Sequence, residues 1–519
     1  MQSVKADFVP FQRRVSNPSF NEGEGRDEAM TDERLEVARL LLPALRWSAD
    51  NGYEGFRDTI ERGLELGVGG FILFGGEVEG VRALTDELRR RTRFPLLIAS
   101  DLERGAGQQF RGATPLPPAA ALGWLGDEAV TERAGELTAR EARALGVNWI
   151  YAPVADVDLE PENPIIGVRA FGTEPAAVAA QVAAWVRGCR RGGALSCAKH
   201  FPGHGRTVGD SHIERPTVSA SREALEADLE PFRAAVAAGV DSLMTAHVVY
   251  PALDPDGAAA TLSPRILGDL LRGELGFDGL VVTDALIMDG LTEDSTEAAA
   301  AVRALAAGCD VLLYPDDAEG VIRAVEAAVR DGRLSRERVA DALRRTAAAA
   351  ERVRGEVDGT VARDEDRRWA LEVGVRSLRV CRGEPRLPWG PVRLVEVEDD
   401  AGGPFPPYPR DALPAALREA GIELSDDGTP LVALYSDIRA WKGRPGISAA
   451  ARERVREVTD DVPSTTVLLF SHPRLADELP AARNLLAAWG GEAIMQEAVA
   501  AWLTGASGAM AGFAAGIDR

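Results

Sequence analysis

Short apolar runs recur along the chain at 39–45, 70–74, 96–100, 147–153, 194–199, 241–246, 280–284 and 310–314. Each has the length of a buried strand. Between most of them lie Ala-, Arg-, Glu- and Leu-rich stretches with apolar residues at helical spacing, at 78–91, 128–145, 174–191 and 221–239. Alternating strand and helix signals predict a parallel sheet with crossover helices. Eight such units predict an α/β fold of the (β/α)8 TIM-barrel type over 31–357. A doubly wound sheet, which more often has five to seven strands, is the alternative. A helix over 335–357, with Ser335 as its N-cap, is expected to close this block.

The pattern then changes. Residues 358–390 predict a helical and irregular connector, and 391–519 a smaller α/β sandwich. Its expected strands are 392–397, 431–435 and 465–470, and its expected helices 410–420, 447–459 and 476–489. GGPFPPYP at 402–409 reads as a loop. Residues 1–30, polar and containing NEGEGR, predict a flexible lead-in.

Composition narrows the class. The chain has 519 residues, 45% hydrophobic and 27% charged, an ordinary globular balance. No apolar run approaches the roughly 18 residues of a membrane span, so no membrane association is expected. A net charge of −22 argues against a nucleic-acid partner. Four cysteines without a CxxC make a disulfide framework or Cys-rich zinc site a poor expectation. The opening MQSVKADFVPFQRR has no apolar signal core, and a cytoplasmic location is expected.

In a barrel, reactive groups gather at the C-terminal ends of the strands. Asp101, Lys199 with His200, His247 and Asp284 all close or follow expected strands. Four of the five histidines (His200, His204, His212, His247) fall in one stretch. His200 and His204 have the i,i+4 spacing of a helical zinc site, but Pro202 and Gly203 between them make KHFPGHG a loop, and no metal site is expected. Asp210-Ser211-His212 places a carboxylate two residues from an imidazole, which in an extended loop can orient the ring as a proton shuttle. The alternative is a turn in which Asp and Ser bond backbone amides. A Ser-His-Asp hydrolase also needs an elbow such as GxSxG, and none is present.

KHFPGHG (199–205) followed by DSH (210–212) resembles the signature of glycoside hydrolase family 3, in its β-N-acetylhexosaminidase branch. Further blocks agree in order. They are Asp101-Leu-Glu103, Asn148 with APVADV at 152–157, NPIIG at 163–167 with Arg169 and Phe171-Gly172, MTAH ending in His247, ATLS at 260–263, and GFDG at 276–279 leading to Thr283-Asp284. The resemblance covers about residues 35–355. It implies an exo-acting, retaining hydrolase of a terminal β-linked sugar, N-acetylglucosamine or a related one. Asp284 is implied as the nucleophile and His212, oriented by Asp210, as the acid/base. Asp101, Arg169, Lys199 and His200 are implied to bind the sugar, with His247 supporting the site. A carbohydrate substrate is implied and no cofactor; oligomeric state is not readable.

The chain also departs from the family pattern. Where the family block reads D-x-E-G-G-R-V-x-R, this chain reads DLERGAGQQ, with Arg104 for a Gly and Ala106 and Gln109 for arginines. Ala285 follows the implied nucleophile, where a second Asp is common. The alternatives are a β-glucosidase-type enzyme, a phosphate-dependent phosphorylase, and a silent sugar-binding protein. Many β-glucosidases of the family take the acid/base from a second-domain Glu and lack the DSH pair. A His acid/base, unlike a carboxylate, would not repel phosphate. The silent binder would have no need of Asp210, His212 and Asp284 together. His472, after the strand at 465–470, is expected on a plain surface loop, with a rim position as the lesser alternative.

Overall fold

The computed structural model describes residues 37–211, 214–292, 295–355, 357, 359–399, 408–436 and 445–505. The lead-in expected over 1–30, His212, and most of the 402–409 loop lie outside the described residues.

Eight strand positions form the first unit: β1 (Leu41–Leu42 and Ala44–Arg46), β2 (Gly70–Phe74), β3 (Leu97–Ser100), β4 (Trp149–Ile150), β5 (Leu195–Phe201), β6 (Ser242–Thr245), β7 (Leu280–Val282) and β8 (Leu312–Leu313). Pro43 divides β1 because it has no N–H to give, although its carbonyl still accepts from Ile72 at 3.0 Å. Neighbouring strands pair in parallel from β1 through β7. The ring then closes. Val282 bridges Val311, and Leu41 and Leu42 pair with Leu312 and Leu313. This is the expected (β/α)8 barrel, and all eight expected strands are present.

The strands are short, so interior packing and the surrounding helices stabilise them. Leu42, Ile72, Ala99, Trp149, Cys197, Met244, Val282 and Val311 fill the barrel interior as one cluster. A larger cluster lies between the strands and the outer helices. The helices Val78–Arg91, Glu128–Ala144 and Pro175–Gly192 fall where periodicity puts them. Ser335 caps Arg336–Arg352 by accepting from the Arg338 amide.

The second sheet has the order β9 (Arg379–Arg382), β13 (Asn484–Ala487), β12 (Thr466–Phe470), β11 (Thr429–Tyr435), β10 (Val392–Glu398). β9 is antiparallel to β13, and the other pairs are parallel. Alternation along β11 and β12 divides the core. Leu431, Ala433, Tyr435, Leu468 and Phe470 join the cluster shared with the barrel. Val432, Leu434, Val467 and Leu469 join a second cluster under the helix Ala449–Asp461.

Two expectations fail here. The helix expected over 476–489 is a 3-10 turn, Pro473–Glu478, followed by β13. A four-residue apolar run does not declare its period, and Pro480 interrupts any helix through the segment. Within 358–390, expected as a helical and irregular connector, the helix Asp364–Ser377 is the helical part, but the remainder includes β9, an edge strand flanked by arginines that mask its apolar character. Among the described residues no helix is long and apolar enough to cross a membrane.

Asp310 ties the bottom of the barrel together. It is fully buried, pairs with Arg272 at 2.9 Å and with Arg338, and accepts from the Val281 amide at 3.0 Å. Asp310→Ala takes the shared carboxylate from two partly buried guanidinium groups, which keep their carbonyl contacts, and should cost about 1.5–3 kcal/mol of stability. Denaturant unfolding checks this, and a loss below ~1 kcal/mol contradicts it.

Candidate active site at the barrel mouth

Strand alternation builds the floor of the site. Ala99, Trp149, Cys197 and Val282 face the barrel interior. The residue two further along each strand is Asp101, Tyr151, Lys199 or Asp284, so one interior face continues as polar groups at the C-terminal mouth. The Cys197 thiol and the Tyr151 phenol are both pushed up, first by burial, and both sense the charges of Asp101 and Asp284. These groups therefore surround one space.

Lys199 is the central cation. Its side chain is 3% exposed, and Nζ lies 2.6 Å from Asp101 and 2.7 Å from Glu103. Arg169 meets Glu103 through two hydrogen bonds of 2.8 and 3.0 Å, and its third nitrogen donates to the Ile165 carbonyl at 3.0 Å. Burial pushes the Glu103 carboxyl up, but the Arg169 and Lys199 charges override it and hold it well below the usual carboxylate range. Two of the residues that depart from the family block bond within the protein. Gln109 accepts from the Gly75 amide at 2.9 Å, and Gln108 accepts from the Arg104 amide at 2.8 Å.

The segment that begins as KHF belongs to β5 through Phe201, and its loop starts at Pro202. Fully buried Asp156 organises it by accepting from the His200 amide, the His204 amide and His200 Nδ1 at 3.1, 2.6 and 2.7 Å. Gly205 permits the close approach: a Cβ there would lie 1.7 Å from the Val157 carbonyl oxygen. Asn163 donates to the His204 carbonyl and accepts from the Ile165 and Ile166 amides, tying the Arg169 segment to the same loop. His204 is buried between the Thr207 and Ser211 hydroxyls, 2.9 Å from each. Burial lowers its pKa to about 4, so the ring is neutral. Asp210 is buried, and its carbonyl accepts from Glu214 at 3.1 Å.

Asp284 follows β7 and accepts from the Ala285 amide at 2.8 Å. Fully buried His247 lies 2.8 Å from Thr261 Oγ1 and 3.2 Å from the Ala285 carbonyl. Donation from Nε2 to that carbonyl ties the ring to the backbone there. His247 thus braces the residue beside Asp284.

The structure therefore places Asp101, Lys199 and Asp284 at strand ends on one mouth, with Arg169, His200 and His247 on the elements beside them; Asp210 is buried on the loop after β5. Sequence reasoning missed Glu103, Asp156 and His204 as organising groups. Glu103 and Asp156 were visible only as members of quoted blocks, and the buried cation and imidazole that need them are distant in sequence. His472 is not on a plain surface loop. It caps the Pro473–Glu478 turn, lies edge-on to Trp489 at 5.4 Å, and sits 3.8 Å from Asp158 of the barrel. Burial lowers its pKa to about 3.

The family model described as "Glycosyl hydrolase family 3 N terminal domain" matches residues 52–349. The chain belongs to glycosyl hydrolase family 3. A family 3 relative from Alkalilimnicola ehrlichii, a "Beta-hexosaminidase", is 41% identical over 52% of this chain and 82% of that protein. The "Beta-N-acetylglucosaminidase/beta-glucosidase" of Cellulomonas fimi is 34% identical over 68% of this chain, which spans 65% of that protein. The solved family 3 β-N-acetylglucosaminidase from Paenibacillus sp. str. FPU-7 is 30% identical, with a TM-score of 0.81 over 92% of this chain and 97% of its own. That overlap includes both the barrel and the second sheet.

The lowered His204 pKa has a stability consequence. The unfolded ring takes a proton near pH 6.5 and the folded ring only near pH 4, so stability is present above ~6.5 and is lost as pH falls through that window. His204→Gln should flatten the stability profile between pH 6.5 and 4 by denaturant titration. An unchanged slope contradicts a neutral buried His204.

Proposed function

We propose that this family 3 chain is a retaining, exo-acting β-glycosidase that removes a terminal β-linked sugar of the N-acetylglucosamine type. The observation that carries the reading is the position of Asp284 on the same mouth as the Lys199–Asp101 pair, in a chain whose relatives are β-hexosaminidases. Asp284 attacks the anomeric carbon as the glycosidic bond breaks, giving a glycosyl-Asp intermediate. His212 gives its proton to the leaving oxygen, then takes one from the water that releases the sugar, and Asp210 orients it. Asp101, Lys199 and His200 hold hydroxyl groups of the sugar. Arg169 contributes through the N–H groups that Glu103 and Ile165 leave unused, and His247 steadies the nucleophile's strand end. The dual name of the Cellulomonas relative favours testing glucosides beside N-acetylglucosaminides. A cytoplasmic location is supported by four unpaired cysteines.

A panel of p-nitrophenyl β-glycosides, with and without phosphate, tests the activity; no turnover of any of them sinks the reading. Asp284→Asn should lower kcat by about three orders of magnitude or more while the circular dichroism and Tm stay native. Near-wild-type kcat would exclude Asp284 as the nucleophile.

His212→Ala should slow substrates with poor leaving groups most, because activated aryl groups need little proton assistance. Measuring kcat/KM across leaving groups of graded pKa should show a steeper dependence than in the wild type, with Asp210→Ala intermediate. An unchanged slope means that another residue donates the proton.

A further inference from the structure

Two carboxylates position the basic side chains at the mouth. Glu103 holds Lys199 and Arg169, and Asp156 holds His200. Neither of their chain segments is supported by the barrel alone. One residue beyond Glu103, Arg104 leaves the barrel loop and forms an ion pair with Glu492 of the second domain. Two residues beyond Asp156, Asp158 forms an ion pair with Arg474 of the second domain at 2.7 Å. The first contact is buried on both sides, with side-chain exposure of 6% and 9% for Arg104 and Glu492; in the second, Asp158 is buried and Arg474 is 22% exposed.

The second domain is shaped for the first of these contacts. Glu492 follows the turn Trp489-Gly490-Gly491 and directly precedes the helix Ala493–Thr504. Trp489 adopts φ +63°, and a Cβ at Gly490 would lie 2.3 Å from the Glu492 carboxylate. The turn is held by the Trp489 indole, which donates to the Ser377 carbonyl at 2.7 Å and packs on Trp124 at 6.2 Å. On the barrel side, the Arg104 amide donates to Gln108 and its carbonyl accepts from Leu116 at 2.9 Å, so the loop carrying Glu103 is fixed on both sides of this side chain. Arg104 stands where the family block carries a glycine, a residue that could make no such contact.

We propose that the second domain is a positioning element of the sugar pocket. Glu492, through Arg104, sets Glu103 and with it Lys199 and Arg169, and Arg474, through Asp158, supports the Asp156 segment. Glu492 and Arg474 touch no reacting atom, and an ion pair with Arg104 employs Glu492 as an anion rather than as a proton donor. This assignment rests on the glycosidase reading, because its readout is affinity for a sugar.

The test uses the full chain and the aryl glycoside that the wild type turns over best, with free N-acetylglucosamine and glucose as competing products. If the wild type turns over none, the glycosidase reading has failed, whatever the variants do. Given wild-type activity, Glu492→Gln should raise KM and the product Ki about tenfold while kcat stays within about threefold, with Tm lowered by the uncompensated Arg104 charge. Glu492→Asp, which keeps the charge, should recover part of that loss. The double variant Arg104→Gln/Glu492→Gln removes both charges and avoids an unpaired buried one; its effect on KM should be smaller than the sum of the single effects. If Glu492→Gln does not fold, the double variant decides alone: a folded enzyme with wild-type KM and Ki overturns the proposal. Loss of kcat in parallel with Tm, with KM unmoved, also overturns it, since a purely structural contact behaves that way.

Discussion

A lysine buried at the end of a barrel strand sets the terms for the site around it. An ammonium taken out of water costs several kcal/mol unless opposite charge and hydrogen bonds replace its hydration. Lys199 obtains that from Asp101 and Glu103. Glu103 is itself buried and carries one negative charge between two cations, so Arg169 is held where it is by the same requirement. The result is a chain of alternating charges, Asp101–Lys199–Glu103–Arg169, in which each inner member meets two opposite charges and removing Glu103 takes from Arg169 its carboxylate. Such a web is rigid before a ligand arrives. Fixed donors at a barrel mouth can then meet hydroxyl groups without paying to be ordered first.

Much of this was legible in the sequence. The eight barrel strands read correctly because a strand buried on both faces is a continuous apolar run, and the polar residue ending such a run marks the mouth. Asp101, Lys199 and Asp284 were found that way. What stayed hidden was relational. Glu103 and Asp156 look like ordinary acidic residues until the fold brings Lys199 and His200 to them across 96 and 44 positions of chain. The 476–489 segment was misread because alanines and leucines fit a helix and a buried strand equally well, and the choice was made by pairing with β12 and β9. His472 was misread because nothing local shows that a surface turn will be covered by another domain.

The departures from the family block acquire a physical account at two positions. Gln109 does not merely replace a cation; its side chain bonds the backbone at Gly75 and helps join the β2 and β3 loops. Arg104 turns a glycine position into a contact with the second domain. Both side chains are thus engaged within the protein. Ala106 has no comparable explanation in the structure. At Ala285 the useful group is the backbone carbonyl facing His247, which any residue there would supply.

Two histidines on one loop show how burial divides labour. A proton shuttle must titrate near the working pH, which requires an imidazole with a carboxylate partner and access to the reacting atoms. His204 cannot do this. Burial brings its pKa down to about 4, and both ring nitrogens are already engaged, by Thr207 and Ser211. It acts as a fixed bridge across its own loop. Ser211, the far end of that bridge, lies between Asp210 and His212 in the chain. Holding Ser211 therefore holds the residue next to Asp210. His204, neutral above about pH 4, thus sets the geometry of the loop that carries Asp210.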